Sequence, residues 1–298
     1  MHSVFALLKS TAAFLGLDQT RCVACFAPYS PAADISFQAM YEDKLPSPDE
    51  TQPVSSTPGK IPSQSACSEL SSFHFRWNKP PQLCPDCLQK LAPRTKGYCP
   101  ICGKLYAVES GAPSRCSDCL LSPPPWTHLS FYGAYEGTLR ELLLQYKFHG
   151  RLDTGLTLAR LLAASYSVSQ TPPVAVVPVP LHSTRLLERG HNQSLLPAKL
   201  LASKINAELA PSILRRTRKT PPQAMLQKKE RQKNISGAFT ALLPDHLKGQ
   251  HLLLVDDIAT TGATLGQAAK TLLKAGAGSL EVALLARTPE PEDTPPAP

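Results

Sequence analysis

A junction near the C-terminus, HLLLVDDIATTGAT at positions 251–264, constrains the fold of this chain more than any other feature. Its apolar first half is typical of a buried strand, and the strand delivers Asp256 and Asp257 at its carboxyl end. The span Ala263–Ala275 predicts a helix, and Leu280–Leu285 predicts another strand. Strand, helix and strand in so short a compass indicate a βαβ unit and therefore a parallel α/β sheet.

The turn inside this junction has the composition of a sugar-phosphate site. Ligands of open α/β sheets bind where strands end, and the free N–H groups of a helix start attract phosphate. Paired carboxylates suit the two hydroxyls of a ribose, and hydroxyl side chains beside a glycine suit a phosphate. The predicted site residues are Asp256, Asp257, Ala259, Thr260, Thr261, Gly262, Ala263 and Thr264. An ordinary strand–turn–helix with an acidic cap is the alternative, and this composition disfavours it.

A second segment carries arginines just after a predicted strand. The β-branched run Val174–Val177 ends in a Pro-Val-Pro sequence, which predicts a strand that stops abruptly. A tight turn with Arg185, Arg189 and Gly190 follows. Guanidinium groups pair phosphate oxygens bidentately, so these residues are candidates for binding a pyrophosphate.

Positive charge is concentrated in one stretch of the chain. The whole chain has a net charge of +8, and positions 215–233 hold eight basic residues and one acid, which makes +7. This stretch is polar and contains Pro221-Pro222, so we expect a mobile loop over Arg215–Asn234. Such a loop can bind a polyanion, and the alternative is a charged surface that is simply solvated. The basic window contains no aromatic residue, so base stacking there is not supported. The candidate nucleic-acid-binding residues are Arg215, Arg216, Arg218, Lys219, Lys228, Lys229, Arg231 and Lys233.

Eight of the nine cysteines form four C-x-x-C pairs, a spacing typical of metal ligands and of a reducing compartment. Thirteen residues separate the third pair from the fourth, which is a strong four-cysteine zinc pattern. The favoured grouping is Cys22, Cys25, Cys84 and Cys87 in one site and Cys99, Cys102, Cys116 and Cys119 in the other. The alternative groups the two middle pairs together and the two outer pairs together. Structural zinc is the expected metal, with an iron–sulfur cluster as the alternative.

Composition also divides the chain into segments. Residues 1–21 predict an N-terminal helix, and residues 22–122 a double zinc ribbon interrupted by a disordered insertion at 26–83, where nine prolines and ten serines occur in 58 residues. Residues 126–287 predict the α/β domain, and residues 288–298 a disordered acidic tail. The remaining elements of the α/β domain are predicted as a strand over Thr127–Tyr135 and helices over Thr138–Phe148, Leu156–Tyr166 and Asn192–Leu209.

Four segments occur in the order seen in the ComF family of competence proteins, which the chain resembles. They are VPVPLHSTRLLERGHNQ, LRRTRKTPPQAMLQKKERQKNISGAF, HLLLVDDIATTGATL and LEVALLART. The third also resembles the motif with which type I phosphoribosyltransferases bind phosphoribosyl pyrophosphate (PRPP). The resemblance implies a type I phosphoribosyltransferase-like parallel sheet preceded by a small double zinc-ribbon module, with PRPP and magnesium as ligands.

Two functions stay open at this point. The resemblance implies a PRPP-binding zinc protein of natural transformation that helps single-stranded DNA enter the cytoplasm, with DNA and competence or DNA-translocation proteins as partners. The alternative is a phosphoribosyltransferase acting on a nucleobase or another nitrogen acceptor, because the sequence supplies a donor site and identifies no acceptor site. We expect a cytoplasmic protein without a transmembrane segment, although the N-terminal helix is also compatible with peripheral contact with a membrane.

Overall fold

The structure, a computed structural model, describes residues 20–29, 82–167, 171–220 and 235–289. Its N-terminal part contains an antiparallel pair, β1 (Thr20–Arg21) and β2 (Pro28–Tyr29), and two short helices, α1 (Pro85–Lys90) and α2 (Ser117–Leu121). The predicted N-terminal helix is therefore wrong at positions 20 and 21, which form β1. Residues 1–19 lie outside the described residues.

Both edges of the predicted insertion belong to the folded ribbon. Strand β2 lies within its first four residues, the Val23 N–H donates to the Gln82 carbonyl at 2.8 Å, and Leu83 is buried. The prediction of disorder from position 26 to 83 is thus wrong at these edges, because the average composition of the stretch conceals the few residues that pair or pack. Residues 30–81 lie outside the described residues.

The C-terminal part is built on a five-stranded sheet in which every pair of neighbours is parallel. In chain order its strands are β3 (Leu129–Ala134), β4 (Ala175–Pro178), β5 (Glu208–Leu209), β8 (His251–Ala259) and β9 (Ser279–Arg287), and the spatial order is β3-β9-β8-β4-β5. Strands β6 (Leu214–Arg216) and β7 (Phe239–Ala241) form a separate antiparallel pair. The predicted parallel α/β sheet is confirmed.

Among the residues that the structure describes, five helices with complete bounds lie between the strands. They are α3 (Gly137–His149), α4 (Leu152–Ser165), α5 (Ser183–Arg189), α6 (Leu195–Ile205) and α7 (Ala263–Lys274), and a 3-10 turn spans Asp245–Leu247. The predicted helix over Asn192–Leu209 is shorter in the structure, because Asn206 takes a left-handed φ of 54° and β5 follows. Helix α5 replaces the predicted tight turn, and the predicted loop from Arg215 begins as strand β6.

Alternate residues of the central strands feed two apolar layers, one on each face of the sheet. In β8, Leu253 and Val255 pack toward the side of α3, α4 and α6, whereas Leu252 and Leu254 pack toward α7 and the β6–β7 pair. All four side chains are completely buried, and each contributes roughly 1.5–3 kcal/mol by leaving water. This double burial fixes β8 rigidly, so the residues at its carboxyl end have a defined position.

Candidate functional site: a charged cleft and two cysteine tetrads

A cleft of about 190 Å³ lies at the carboxyl ends of β4 and β8. Its lining combines the acidic pair, residues of the following turn and basic side chains from three other elements. The lining residues are Lys147, Val179, Pro180, Leu181, Arg185, Arg189, Gln193, Ser194, Arg216, Asp256, Asp257, Ile258, Thr260 and Thr264. Of the predicted sugar-phosphate residues, Asp256, Asp257, Thr260 and Thr264 line this cleft, and of the predicted pyrophosphate residues Arg185 and Arg189 do. Ala259, Thr261, Gly262, Ala263 and Gly190 are not part of its lining.

The two aspartates are held by different partners. The Lys147 Nζ from α3 lies 2.9 Å from Asp257 Oδ2, and both side chains are less than one-fifth exposed. The Ser194 hydroxyl donates to Asp256 Oδ1 at 2.9 Å, and the Asp257 N–H donates to the same oxygen. Both carboxylates are thus fixed before any ligand arrives, and both residues line the cleft.

The negative charge of Asp256 has an electrostatic cost in the folded protein. Burial raises its pKa to about 7, and the adjacent Asp257 carboxylate acts in the same direction. The Asp257 backbone N–H, the Ser194 hydroxyl and the charge of Lys147 oppose that rise. A carboxylate in this position gains from new hydrogen-bond donors, because they replace part of the water it has lost.

The turn after β8 starts helix α7 in the geometry of a phosphate seat. Gly262 has a φ of 72°, and its carbonyl accepts the first helical hydrogen bond, from Gly266 N–H at 2.8 Å. The N–H groups that open a helix have no intrahelical acceptor and carry the positive end of its dipole. Thr260 and Thr264 face the cleft, whereas Thr261, Gly262 and Ala263 line a neighbouring cleft beside the cysteine module.

Three arginines supply the positive wall. Arg185 and Arg189 come from α5, which Gly190 ends with a φ of 76°, and Arg216 comes from β6. Burial, together with repulsion from Arg185, lowers the pKa of Arg216 to about 10, while Asp256 opposes the change. Clustered, partly buried guanidinium groups are attractive to a polyanion because each lacks full solvation.

The predicted nucleic-acid residues separate into three groups. Arg216 lines the cleft, whereas Arg215, Arg218 and Lys219 are exposed. The Arg218 guanidinium also donates to the Ser236 carbonyl at 2.6 Å. The remaining candidates, Lys228, Lys229, Arg231 and Lys233, lie outside the described residues.

Lys147 and Ser194 are functional candidates that were not among the predicted site residues. Lys147 lies in the last turn of α3, and Ser194 immediately precedes α6, so neither is near the acidic pair in sequence. Asn192 supports Ser194: its amide donates to the Val179 carbonyl at 3.1 Å, and its Oδ1 accepts the Ser194 N–H. A useful signal was the polar run that follows Gly190 directly before an apolar helix.

The eight paired cysteines assemble into two tetrads, and each brings its four sulfur atoms within 4.8 Å of one another. Their grouping is the favoured one, with Cys22, Cys25, Cys84 and Cys87 in the first tetrad and Cys99, Cys102, Cys116 and Cys119 in the second. The Cys25 and Cys84 sulfurs are 3.7 Å apart, and those of Cys102 and Cys116 are 3.6 Å apart. A tetrahedral zinc with Zn–S bonds of about 2.3 Å has sulfur–sulfur edges of about 3.8 Å. Each tetrad can therefore hold a metal ion of that size.

Each tetrad also has a sulfur prepared for ionisation. Burial disfavours the thiolate of Cys22, but backbone N–H groups of Cys25, Cys84 and Ala24 bring its pKa down to about 7. Cys99 behaves alike: burial opposes its ionisation, and backbone N–H groups led by that of Cys116 lower its pKa to about 7. Burial and nearby thiolates raise the pKa of Cys102 to about 12. Four ionised thiols so close together require a cation.

Comparison with known proteins places the chain among relatives. The model of the phosphoribosyl transferase domain matches residues 191–297. The DNA utilization protein YhgH of Escherichia coli K12 is 36% identical over 212 residues, which are 69% of the chain and 90% of that protein. Competence protein F of Haemophilus influenzae is 31% identical over 211 residues, again 69% of the chain and 90% of that protein.

The chain belongs to the ComF family. A third relative, competence protein ComFC of Bacillus subtilis, is 29% identical over 207 residues, which are 65% of the chain and 79% of that protein. The domain match of this ComF chain contains the acidic pair and the turn, but Lys147, Arg185 and Arg189 precede it. In the part of the chain that the structure describes, no helix combines the length and apolar character needed to cross a membrane.

Proposed function

We propose that this ComF protein binds PRPP in the cleft. The observation that carries the proposal is the convergence of a carboxylate pair, a helix-start turn and three arginines on one space at the end of β8. PRPP combines a ribose, a 5-phosphate and a pyrophosphate, and these three groups would bind the carboxylate pair, the turn and the arginines, respectively. In this proposal Asp256 and Asp257 accept hydrogen bonds from the ribose hydroxyls, and the turn from Ala259 to Thr264 binds the 5-phosphate.

The pyrophosphate is assigned to the arginine wall together with magnesium. Arg185, Arg189 and Arg216 balance its negative charge, and Gly190 leaves the backbone after α5 free of side-chain obstruction. Magnesium binds phosphate oxygens and retains several waters, so few protein ligands are needed. Lys147 already neutralises Asp257, which keeps the acidic pair from repelling the incoming phosphates.

The proposed metal in both tetrads is zinc in a structural role. Each site offers four sulfur ligands and no open position, the coordination of structural zinc. The buried sulfurs of Cys22, Cys84 and Cys87 belong to the same apolar layer as Leu83 and Leu91, so the first ion would hold this layer together. Zinc here supplies folding energy and no chemistry at the cleft.

Thermal unfolding with and without PRPP and magnesium tests the proposal. A ligand that binds only the folded state raises the unfolding temperature, by an amount equivalent to about 2.7 kcal/mol at a hundred times its dissociation constant. The double variant Asp256→Asn with Asp257→Asn should lose this rise. Asp245→Asn with Asp153→Asn is the control, because both carboxylates lie outside the cleft and outside the neighbouring cleft that Thr261, Gly262 and Ala263 line. An equal rise in the cleft variant would refute the assignment.

We further propose that the protein acts in the cytoplasm in uptake of single-stranded DNA. The names of its relatives, a DNA utilization protein and two competence proteins, support this role. Arg215 and Lys219 support it as well, because both are exposed and belong to the segment that carries the +7 window. Backbone phosphates attract such charges without regard to base sequence.

Salt dependence of single-stranded DNA binding tests the contact. Each phosphate contact contributes about 0.7 to the slope of log affinity against log salt for single strands. Arg215→Ser with Lys219→Ser should lower that slope by about 1.4. Lys90→Ser with Lys274→Ser removes the same charge from exposed positions elsewhere and should leave it unchanged. Equal slopes for both double variants would exclude the DNA role of this segment.

The transferase alternative rests on the match to a phosphoribosyl transferase domain. It requires a nitrogen acceptor that displaces pyrophosphate from the ribose. Incubation with PRPP, magnesium and a panel of nucleobases and amines, with release of pyrophosphate as the readout, separates the two functions. Release with one acceptor and none without it would establish transfer, whereas PRPP binding without any release would favour the binding function.

A further inference from the structure

The loop between the first two cysteines of the second tetrad is tied to the α/β domain through three successive carbonyls. The Pro100 carbonyl accepts the Leu129 N–H at 3.1 Å, and the Ile101 carbonyl accepts the Trp126 indole N–H at 2.5 Å. The Cys102 carbonyl accepts the Arg287 Nε–H at 3.1 Å. These carbonyls can point to the domain only while the metal-binding turn keeps its shape.

Arg287 continues from this turn to the phosphate loop. Its guanidinium, which is buried, donates at its other end to the Ala259 carbonyl at 3.1 Å. The same carbonyl accepts the Thr288 N–H at 2.9 Å. Ala259 is the last residue of β8 and the first residue of the turn that the proposed function assigns to the 5-phosphate. One side chain thus connects a metal ligand's carbonyl to the base of the phosphate loop.

Trp126 provides a second connection. Besides its bond to Ile101, its ring lies beside Gly262, where a Cβ atom would be 3.8 Å from Cη2. A cleft of about 450 Å³ otherwise separates the second tetrad from the start of α7, and both Trp126 and Arg287 form part of its wall. The two side chains cross this gap, so contact between the cysteine module and the loop depends on them.

We propose that the second tetrad, when it holds zinc, positions the phosphate loop through Arg287 and Trp126. Arg287 is a positioning residue, because it fixes the carbonyl from which the loop departs. Its planar guanidinium can serve two carbonyls at once, whereas a single ammonium cannot do so with fixed geometry. This inference rests on the proposed PRPP site for its functional consequence, but the ordering of the loop can be measured without PRPP.

The two tetrads offer a matched comparison. Cys87 and Cys119 have the same surroundings in their tetrads. Both are buried, both lie in a short helix that begins directly after another cysteine of the tetrad, and both directly follow an aspartate. Cys119→Ser and Cys87→Ser should each reduce bound zinc from two equivalents to one. Only the substitution of Cys119 removes the metal from the tetrad that Arg287 and Trp126 contact, and neither substitution alters these two side chains directly.

Hydrogen exchange of the amides at 260–264 and calorimetric PRPP affinity in magnesium are the two readouts. We expect Cys119→Ser and Arg287→Met to speed exchange in this segment and to weaken PRPP binding about tenfold, a loss equivalent to one charged hydrogen bond. Arg287→Lys should fall between wild type and Arg287→Met. Trp126→Phe keeps an aromatic side chain but removes both the indole N–H and the Cη2 atom beside Gly262, so it tests the second connection by itself.

The outcomes separate the inference from the function it builds on. Unchanged exchange at 260–264 in Arg287→Met and Trp126→Phe would overturn the inference. Equal effects of Cys87→Ser and Cys119→Ser would overturn it too, because a general loss of stability would then account for both. A third outcome is faster exchange only in the Cys119, Arg287 and Trp126 variants, in a protein that shows no PRPP binding. It would support the positioning of the loop by the second tetrad and reject the proposed function.

Discussion

Replacement of Asp256 by asparagine should make the protein more stable, and increasingly so as the pH rises. The folded-state pKa of Asp256 is raised from 3.8 to about 7, chiefly by burial. Its contribution to stability is therefore fully present below pH 4 and is lost as the pH rises through 7. Asparagine keeps the shape and the acceptor for Ser194 but cannot ionise, so the variant escapes this loss.

The magnitude follows from the size of the shift. A rise of about three pKa units at about 1.36 kcal/mol each gives an upper limit of about 4 kcal/mol in alkaline solution. Between pH 5 and pH 8 the difference in unfolding free energy between Asp256→Asn and wild type should grow by about 2.5 kcal/mol.

Urea unfolding of both proteins at pH 5, 6, 7 and 8 measures this difference. Metal loss at low pH affects the two proteins alike and cancels in the comparison. Asp153→Asn is the control, because a hydrogen bond from Arg151 lowers the pKa of that carboxyl. Its titration is complete below pH 5, and its difference from wild type should be flat. A flat difference for Asp256→Asn as well would show that burial at the strand end does not perturb this carboxyl.

Three further changes have defined outcomes. Gly278→Ala places a Cβ 2.2 Å from the Gly249 carbonyl oxygen and should cost about 3 kcal/mol in urea unfolding, whereas Gly266→Ala meets open space in α7 and should stabilise by about 0.5 kcal/mol. Lys147→Met leaves the buried Asp257 without its cation and should cost about 3 kcal/mol, most of which the added change Asp257→Asn restores. Chelation should release two zinc ions per chain, measured with a colorimetric dye, and lower the unfolding temperature.

A defined result would contradict each of these three predictions. Equal stability of the two glycine variants would mean that the backbone at 278 is not confined. A double variant as unstable as Lys147→Met alone would show that the lysine acts by packing its aliphatic stem. Release of one zinc ion, or unchanged unfolding after chelation, would exclude two structural metal sites.

Much of the fold is predictable because apolar runs report burial directly. The strands around Val176 and Leu253 were visible for this reason, and so was helix α7. Helix α5 was not, since none of its residues is buried and no apolar period marks it. The end of α6 depends on a single backbone conformation at Asn206, which composition does not reveal.

The site shows a different limit. The acidic pair and its turn are contiguous in sequence, so their chemistry could be recognised, whereas Lys147 and Ser194 join them only through the packing of α3 and α6 against the sheet. The basic window illustrates the same limit within two adjacent residues. In strand β6 the side chains alternate, so Arg215 faces solvent and Arg216 faces the cleft, although their charges count equally in sequence.

The first tetrad joins Cys25 and Cys84, which are 59 positions apart in sequence, at a sulfur–sulfur distance of 3.7 Å. A metal ion bound there would hold the two cysteine pairs together whatever the length of the chain between them. Loop-closure entropy grows only slowly with length, so the fold is nearly indifferent to the size of that segment. It is consequently a natural place to graft a reporter or an affinity handle without disturbing the cleft.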